Sequence, residues 1–93
     1  MALEISDFRY IYHQVGGVAA RFEVSDQDTS DATYQYFGYL HSEGAWVIQR
    51  FEITATTISY RYATGKDEYA TAWAAKATWP EATWKYFNDV TTL

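Results

Sequence analysis

The sequence predicts a mainly β fold, a small antiparallel sandwich or barrel-like sheet of five to six strands with one short helix near residues 67–77. Three observations predict it. Apolar and polar residues alternate with a period of two in several stretches, as in strands whose two faces differ. Clusters of Gly, Asp, Ser and Thr separate these stretches, and such clusters form turns. Helical spacing occurs in one place, at Tyr69, Ala72, Trp73 and Lys76.

The first half of the chain predicts three strands. Residues 8–13 and 18–24 alternate on either side of Gly16-Gly17, and glycine tolerates the positive φ of hairpin turns. Residues 26–31 carry no apolar side chain and predict a loop. Residues 33–40 have aromatic side chains on both faces, so this strand is either central or presents one face to another molecule. Gly38 inside it predicts a bulge or a close backbone approach.

The second half predicts a turn at residues 41–44, strands at 45–55 and 56–63, the helix, and a last strand at 83–87. Asp67 is predicted to cap the helix, with Glu68 beside the positive end of the dipole and Lys76 in the last turn. The helix is predicted to end before Trp79-Pro80, because a residue that precedes proline avoids helical dihedrals. Residues 88–93 are predicted to form a frayed tail, and residues 1–93 are predicted to form a single domain.

Aromatic residues dominate the predicted core and the predicted contact surface. The chain contains four tryptophans, nine tyrosines and five phenylalanines, more ring surface than one small core is expected to enclose. Tyrosine suits positions where a ring is buried and its hydroxyl meets water or a partner. The candidate partner contacts are Tyr34, Tyr36, Tyr60 and Tyr62. The candidate core residues are Trp46, Ile48, Phe51, Ile58, Tyr69 and Trp73.

Charge and composition disfavour several classes of partner. The net charge is −5, and the seven basic residues form no run, which argues against nucleic acid and anionic membranes. Arg50 and Arg61 are the one pair expected to form a local basic pocket. The absence of cysteine excludes disulfides and thiolate metal sites. No signal peptide is expected, and no apolar run approaches the ~20 residues that cross a bilayer.

The residue types needed for catalysis are scarce. The two histidines, His13 and His41, lie near strand ends, and a triad drawn from His41, Ser42 and Asp31 matches no motif. No glycine-rich nucleotide-binding motif is present. We therefore expect no enzymatic activity and no cofactor.

Asp26, Asp28 and Asp31 begin with the spacing of a calcium loop. Such a loop then needs an acid, a glycine and a bidentate glutamate, where this chain has Ser30, Asp31 and Phe37. A solvated turn is the preferred interpretation, and no metal is predicted.

Residues 38–84 resemble a short module of tailed bacteriophages and prophages, where it occurs in virion and tail-associated proteins. Two features depart from the module's pattern: a lysine replaces the usual arginine at position 76, and Trp79-Pro80 interrupts the terminal strand. The resemblance rests on the following segments of this sequence: Gly38-Tyr39-Leu40, Trp46-Val47-Ile48-Gln49-Arg50, Ala63-Thr64-Gly65, Tyr69, Ala72-Trp73 and Lys76-Ala77.

The resemblance implies a non-enzymatic structural protein, a decoration, neck or tail-associated component made in the bacterial host cytoplasm and located in the virion. It would contact other virion proteins or further copies of itself as a homo-oligomer. Two alternatives stay open. One is a module of a phage tail that binds carbohydrate or another cell-surface ligand. The other is a small phage effector that binds a host protein or a nucleotide.

Overall fold

The computed structural model describes residues 9–15 and 18–86, which form one antiparallel sheet followed by a short helix and two 3-10 turns. The strands lie in chain order across the sheet, so each pairs with its neighbour in sequence. The sheet curls into a half-barrel. The elements are β1 Tyr10–Val15, β2 Val18–Asp28, β3 Tyr34–Leu40, β4 Trp46–Ile53, β5 Ile58–Gly65, α1 Tyr69–Ala75, and 3-10 turns at Lys76–Thr78 and Glu81–Thr83.

The predicted fold class is confirmed in its barrel-like form: the protein is mainly β with one short helix. β1 and β2 form the expected hairpin, in which Val15 pairs with Val18; Gly16 and Gly17 lie outside the described residues. β2 continues to Asp28, further than predicted, because Asp26 and Asp28 pair across to β3. The predicted loop at 26–31 is therefore shortened to the segment that follows Asp28.

One face of the sheet, here called the phenylalanine face, packs on itself. Phe22, Phe37 and Phe51 are fully buried there with Tyr39 and Val47. The half-buried residues that pack against this core also belong to the five strands. The curl of the sheet therefore encloses the core without a second layer. The aromatic residues on both faces of β3 follow from its place as the middle strand.

The opposite face, here called the helix face, is covered by residues 69–86. Tyr36, Trp46, Ile48, Ala63 and Trp84 are its buried residues. Rings from the covering segment lie over them, with Trp79 stacked on Trp46 at 6.1 Å between centroids. No residue of α1 is fully buried, so these partial contacts hold the helix in place rather than a buried stripe.

Two predictions about the covering segment are wrong. Asp67 does not cap α1: Glu68 is the N-cap residue, in the left-handed region at φ 57°, and no side chain caps the helix. The backbone carbonyl of Asp67 instead accepts a hydrogen bond of 2.7 Å from the Trp46 indole, which holds Asp67 against β4. The described part of the predicted last strand, residues 83–86, is also not a strand: Thr83 ends the second 3-10 turn, and within this part only Lys85 pairs with β5, at Tyr62.

The predicted end of the helix is confirmed. The 3-10 turn Lys76–Thr78 continues α1 to the residue before Trp79, and Pro80 follows in extended geometry. Residue 87 and the predicted tail at 88–93 lie outside the described residues. None of the helices within the described ranges is long and apolar enough to cross a membrane.

Gly38 allows the helix to approach the sheet. A Cβ atom at this position would overlap the Tyr69 hydroxyl group and lie 3.0 Å from the Trp73 ring. The Tyr69 hydroxyl donates a hydrogen bond of 2.7 Å to Asp26, which is the β2 residue paired with Gly38. The predicted close approach is confirmed, and the bulge lies on the neighbouring strand, between Val24 and Asp26.

We predict that Gly38→Ala lowers the free energy of unfolding by about 1–3 kcal/mol, because the added methyl group pushes on Tyr69, which its bond to Asp26 holds in place. Urea unfolding measures the change. In a Tyr69→Phe background, which lacks the overlapping oxygen, the same substitution should cost less. An equal cost in the two backgrounds would contradict the proposed contact.

Candidate functional site

Charged and aromatic side chains form a line across the helix face. The register of the sheet pairs Asp28 with Tyr36, Tyr36 with Arg50, and Arg50 with Arg61. Directly paired residues of antiparallel strands point to the same face, so these four side chains, here called the charged row, lie side by side on β2 to β5. The covering segment places Lys76 against one end of the row and Glu81 against the other.

Arg50 is a buried guanidinium with a surface partner. Only 6% of its side chain is exposed, whereas Glu81 is 71% exposed. The Nη1 and Nη2 atoms of Arg50 donate to the two carboxylate oxygens of Glu81 at 3.0 and 2.6 Å, a bidentate pair. The rings of Tyr34 and Trp84 lie 4.9 and 5.0 Å from the guanidinium carbon. Within the described residues the buried Nε atom of Arg50 has no acceptor.

Arg61 adds a second cation next to this pair. It lies directly across from Arg50 on β5, and its Nη2 donates to the hydroxyl of Tyr86 at 2.8 Å. Its guanidinium also lies 3.8 Å from the centroid of the Tyr86 ring. Hydrogen bonds from Arg50, with the positive charges of Arg50 and Arg61, hold the pKa of Glu81 below its ordinary value. The two arginines therefore create a site that stabilises a carboxylate anion.

Lys76 occupies the other end of the charged row. Its side chain is buried, and its Nζ lies 3.0 Å from a carboxylate oxygen of Asp28. The same Nζ lies 4.1 Å from the Trp73 ring and 5.2 Å from the Tyr36 ring. The pKa of Asp28 falls to about 2, mainly because Ser30 donates side-chain and backbone hydrogen bonds to it, with a further contribution from Lys76.

Burial of two cations on one face requires these partners. Removing an ion from water costs several kcal/mol. For each of the two cations, one acidic side chain and the neighbouring aromatic rings offset this cost. Loss of either acid would leave a buried cation without its counterion. The two ion pairs therefore connect the covering segment to the sheet at both ends of the row.

Exposed rings lie at the two edges of the sheet. Tyr12, 56% exposed, and Tyr10 project from edge strand β1, with the Arg21 guanidinium 4.3 Å from the Tyr10 ring centroid. On the opposite edge, Tyr60 is 44% exposed while it contacts Phe51 at 4.9 Å between ring centroids. Among the described residues, the outer side of β5 is paired only at Tyr62.

The four candidate contact tyrosines lie in different environments. Tyr60 is exposed, and Tyr34 is half-buried against Arg50. Tyr36 was expected to face outward, but it is only 8% exposed because Lys76 and Trp84 pack over it. Tyr62 is half-buried on the phenylalanine face, where its hydroxyl accepts a 2.9 Å hydrogen bond from Gln49. The structure does not bring the four together.

Most of the candidate core residues are buried. Trp46, Ile48 and Phe51 lie in the two cores, and Tyr69 and Trp73 are half-buried in the cover of the helix face. The assignment of Ile58 to the core is wrong, because its side chain is 36% exposed. Ile58 is the first residue of β5, which is an edge strand of the described sheet, so no described strand lies beyond it.

The acidic residues at positions 26–31 bind their own backbone and neighbours. Asp28 accepts from the backbone and hydroxyl of Ser30 at 3.0 and 2.6 Å. Asp31 accepts from the backbone N–H groups of Thr33 and Tyr34, and these bonds lower the pKa of Asp31. Within residues 9–15 and 18–86, no group of three His, Cys, Asp or Glu side chains could hold a metal ion.

The two histidines lie against aromatic or backbone groups. His41 contacts the Phe22 ring and accepts a hydrogen bond from the Glu43 backbone N–H at its Nδ1 atom, 3.2 Å away. The His13 ring lies near the same phenylalanine, with 6.4 Å between ring centroids.

Comparison of the chain with protein-family models, with curated proteins and with solved structures finds no match. The site must therefore be interpreted from its own geometry.

The sequence indicated only part of this site. The Arg50 and Arg61 pair was expected as a local basic pocket, and the structure places the two side by side. Lys76 is predicted in the last turn of the helix, without a partner on the sheet, and the sequence indicates no role for Glu81. Their partners lie far away in sequence, so no local spacing signals either ion pair. Tyr10 and Tyr12 lie in a predicted strand, but they are not among the predicted partner contacts.

We predict that Asp28→Asn destabilises the protein by about 1–3 kcal/mol at pH 7, because Lys76 stays buried without its counterion. Adding Lys76→Met to the Asp28→Asn variant should restore much of the lost stability, since methionine fills the space between Trp73 and Tyr36 without a charge. Urea unfolding of the two single variants and the double variant measures the coupling. Additive losses would contradict a direct pair.

The pH dependence is a control for the same pair. The pKa of Asp28 is lower in the folded state, so its contribution is complete above about 3.8 and is lost as pH falls towards about 2. The free energy of unfolding of the wild type should therefore fall between pH 4 and pH 2. Asp28→Asn should show a smaller decrease over this interval.

Proposed function

We propose that the protein is a non-enzymatic binding module that acts through protein–protein contacts, as a decoration, neck or tail-associated component of a bacteriophage virion. The observation that carries the proposal is where the exposed apolar side chains lie. Among the described residues of the sheet, the exposed large apolar side chains lie on the outer strands and at the start of β2, and none is on the central strands β3 and β4. They are Tyr10, Tyr12, Val18, Ile58 and Tyr60, with Tyr86 in the covering segment.

The edge strands lack the features that usually prevent pairing with another chain. Natural edge strands are commonly protected by lysine, proline or an inward-pointing charge. β1 has the sequence Tyr-Ile-Tyr-His-Gln-Val, without lysine, proline or an acidic residue. β5 begins Ile-Ser-Tyr before its first charge at Arg61. An exposed, apolar and uncharged edge favours addition of a strand from a partner.

The phage context is supported by the resemblance of residues 38–84, and the residues that carry it have structural roles here. Gly38 lies beneath Tyr69 and Trp73, and a Cβ atom at Gly65 would overlap the Trp46 ring. The motif therefore describes how a helix packs on a sheet. β1 lies outside the motif, so its exposed tyrosines are features of this chain.

Protein is a better partner than carbohydrate at the β1 edge. Tyr10 and Tyr12 are nearly perpendicular, with an interplanar angle of 83° and 5.7 Å between ring centroids, and Arg21 already covers one face of Tyr10. A sugar ring stacks on a flat, open aromatic face, which this pair does not provide. Arg21 and its partner Glu23, 2.9 Å apart, add the mixed polar rim that is common around protein contacts.

We predict that wild-type protein self-associates or binds a virion partner, and that Tyr12→Lys or Ile58→Lys weakens this binding at least tenfold. A lysine on an edge strand opposes pairing of strands between chains. Thr71→Lys is the matched control, because it adds the same charge on the exposed side of α1. Sedimentation velocity and pull-down from phage lysate measure the two kinds of binding.

Two results would count against the proposal. A strict monomer at high concentration that recovers no virion protein would remove the contact function, and saturable binding on a glycan array would favour the carbohydrate alternative. Capsid or tail genes beside the gene for this chain would support the virion assignment independently.

A further inference from the structure

The Arg50 end of the charged row has the properties of a binding site occupied by the protein's own side chain. A buried guanidinium forms a bidentate pair with one exposed carboxylate, a second arginine lies beside it, and three aromatic rings pack on the two guanidinium groups. We propose that Arg50, with the positive charge of Arg61 beside it, binds a carboxylate group of a partner molecule, and that Glu81 occupies this site when the partner is absent. This inference concerns the helix face and does not depend on the sheet edges.

The Glu81 side chain is exposed enough to exchange with a partner carboxylate, which would then serve as the counterion of Arg50. It is 71% exposed, whereas the Arg50 side chain is 6% exposed. The backbone of the 3-10 turn is held separately, by hydrogen bonds from Thr83 to Pro80 and from Trp84 to the Glu81 carbonyl. Rotation of one surface side chain would therefore open the guanidinium to an incoming group while Trp84 stays buried.

The remaining groups around the site favour an anion. Arg61 stands beside Arg50, and the buried Nε of Arg50 is a donor without an acceptor among the described residues. Glu52, the acid of β4 on this face, accepts a hydrogen bond from the Tyr34 hydroxyl at 3.5 Å. An anion in place of Glu81 would therefore meet the positive charge of both arginines.

A carboxylate is the class of ligand that the geometry identifies. Glu81 already displays the bidentate contact that a carboxylate makes with a guanidinium. A phosphate could form a similar pair, but its second negative charge is opposed by the net charge of −5. The carboxylate can belong to an acidic side chain of a protein or to a small organic acid, and a titration with both distinguishes these sources.

The test is an NMR titration of ¹⁵N-labelled Glu81→Gln protein, which keeps the shape of the side chain and removes its charge. Acetate is added at pH 7 and constant ionic strength, with chloride as the reference, and the indole N–H signal of Trp84, whose ring lies 5.0 Å from the Arg50 guanidinium carbon, is followed. We expect a saturable shift with a dissociation constant of roughly 10–100 mM, because one charge-assisted bidentate contact supplies the affinity. Wild-type protein should bind at least about tenfold more weakly, since Glu81 competes within the molecule.

Matched variants locate the effect. In the Glu81→Gln background, Arg50→Lys should abolish the shift, whereas Lys66→Gln, which removes an exposed cation elsewhere, should keep it. A blocked glutamyl tripeptide that binds more tightly than acetate identifies a protein side chain as the source, and equal affinity identifies a small acid.

Three outcomes would overturn the proposal: no saturable shift beyond that of chloride, tighter binding of inorganic phosphate than of acetate, or an unchanged shift in the Arg50→Lys variant. If Glu81→Gln does not fold, titration of the wild type to tenfold higher acetate gives the same decision.

Discussion

The structure depends on one constraint: a single sheet whose central strands are buried on both faces. β3 and β4 carry large apolar residues on the two sides, yet the described chain supplies no second sheet. Curling encloses the phenylalanine face, whereas the helix face needs residues 69–86 as its cover. Because α1 has no fully buried residue, the contacts that attach residues 69–86 to the sheet determine whether water is excluded from the helix face.

The same contacts explain why the candidate site lies where it does. Gly38 lets the helix approach, and the ion pairs of Lys76 and Arg50 attach the segment at either end of the charged row. Lys76 pairs with a half-buried aspartate, so its role is structural. Arg50 pairs with an exposed glutamate beside a second arginine, so we propose that another carboxylate can take the place of that glutamate. Both ion pairs attach the covering segment, and they differ in how far solvent reaches the acid.

Local signals in the sequence predict the five strands and the helix of the fold, and they wrongly predict a further strand at 83–87. The period of two located the strands, Gly44 with φ at 97° closes the expected turn, and Pro80 follows the predicted end of the helix. Strand order could not be derived from these signals, so Ile58 was assigned to the core although β5 is an edge. Tyr36 was assigned to the surface for a similar reason. Its burial depends on Lys76 and Trp84, which only the folded chain brings near it.

Native-state hydrogen exchange tests most directly whether the cover belongs to the same cooperative unit as the sheet. Two protons report on it: the Trp46 indole N–H, bonded to the Asp67 carbonyl, and the Tyr62 amide, bonded to the Lys85 carbonyl. We predict that both protons exchange only through global unfolding, with the same dependence on urea as the amides between β3 and β4. Exchange of these two protons through a small local opening, while the central amides stay protected, would contradict it.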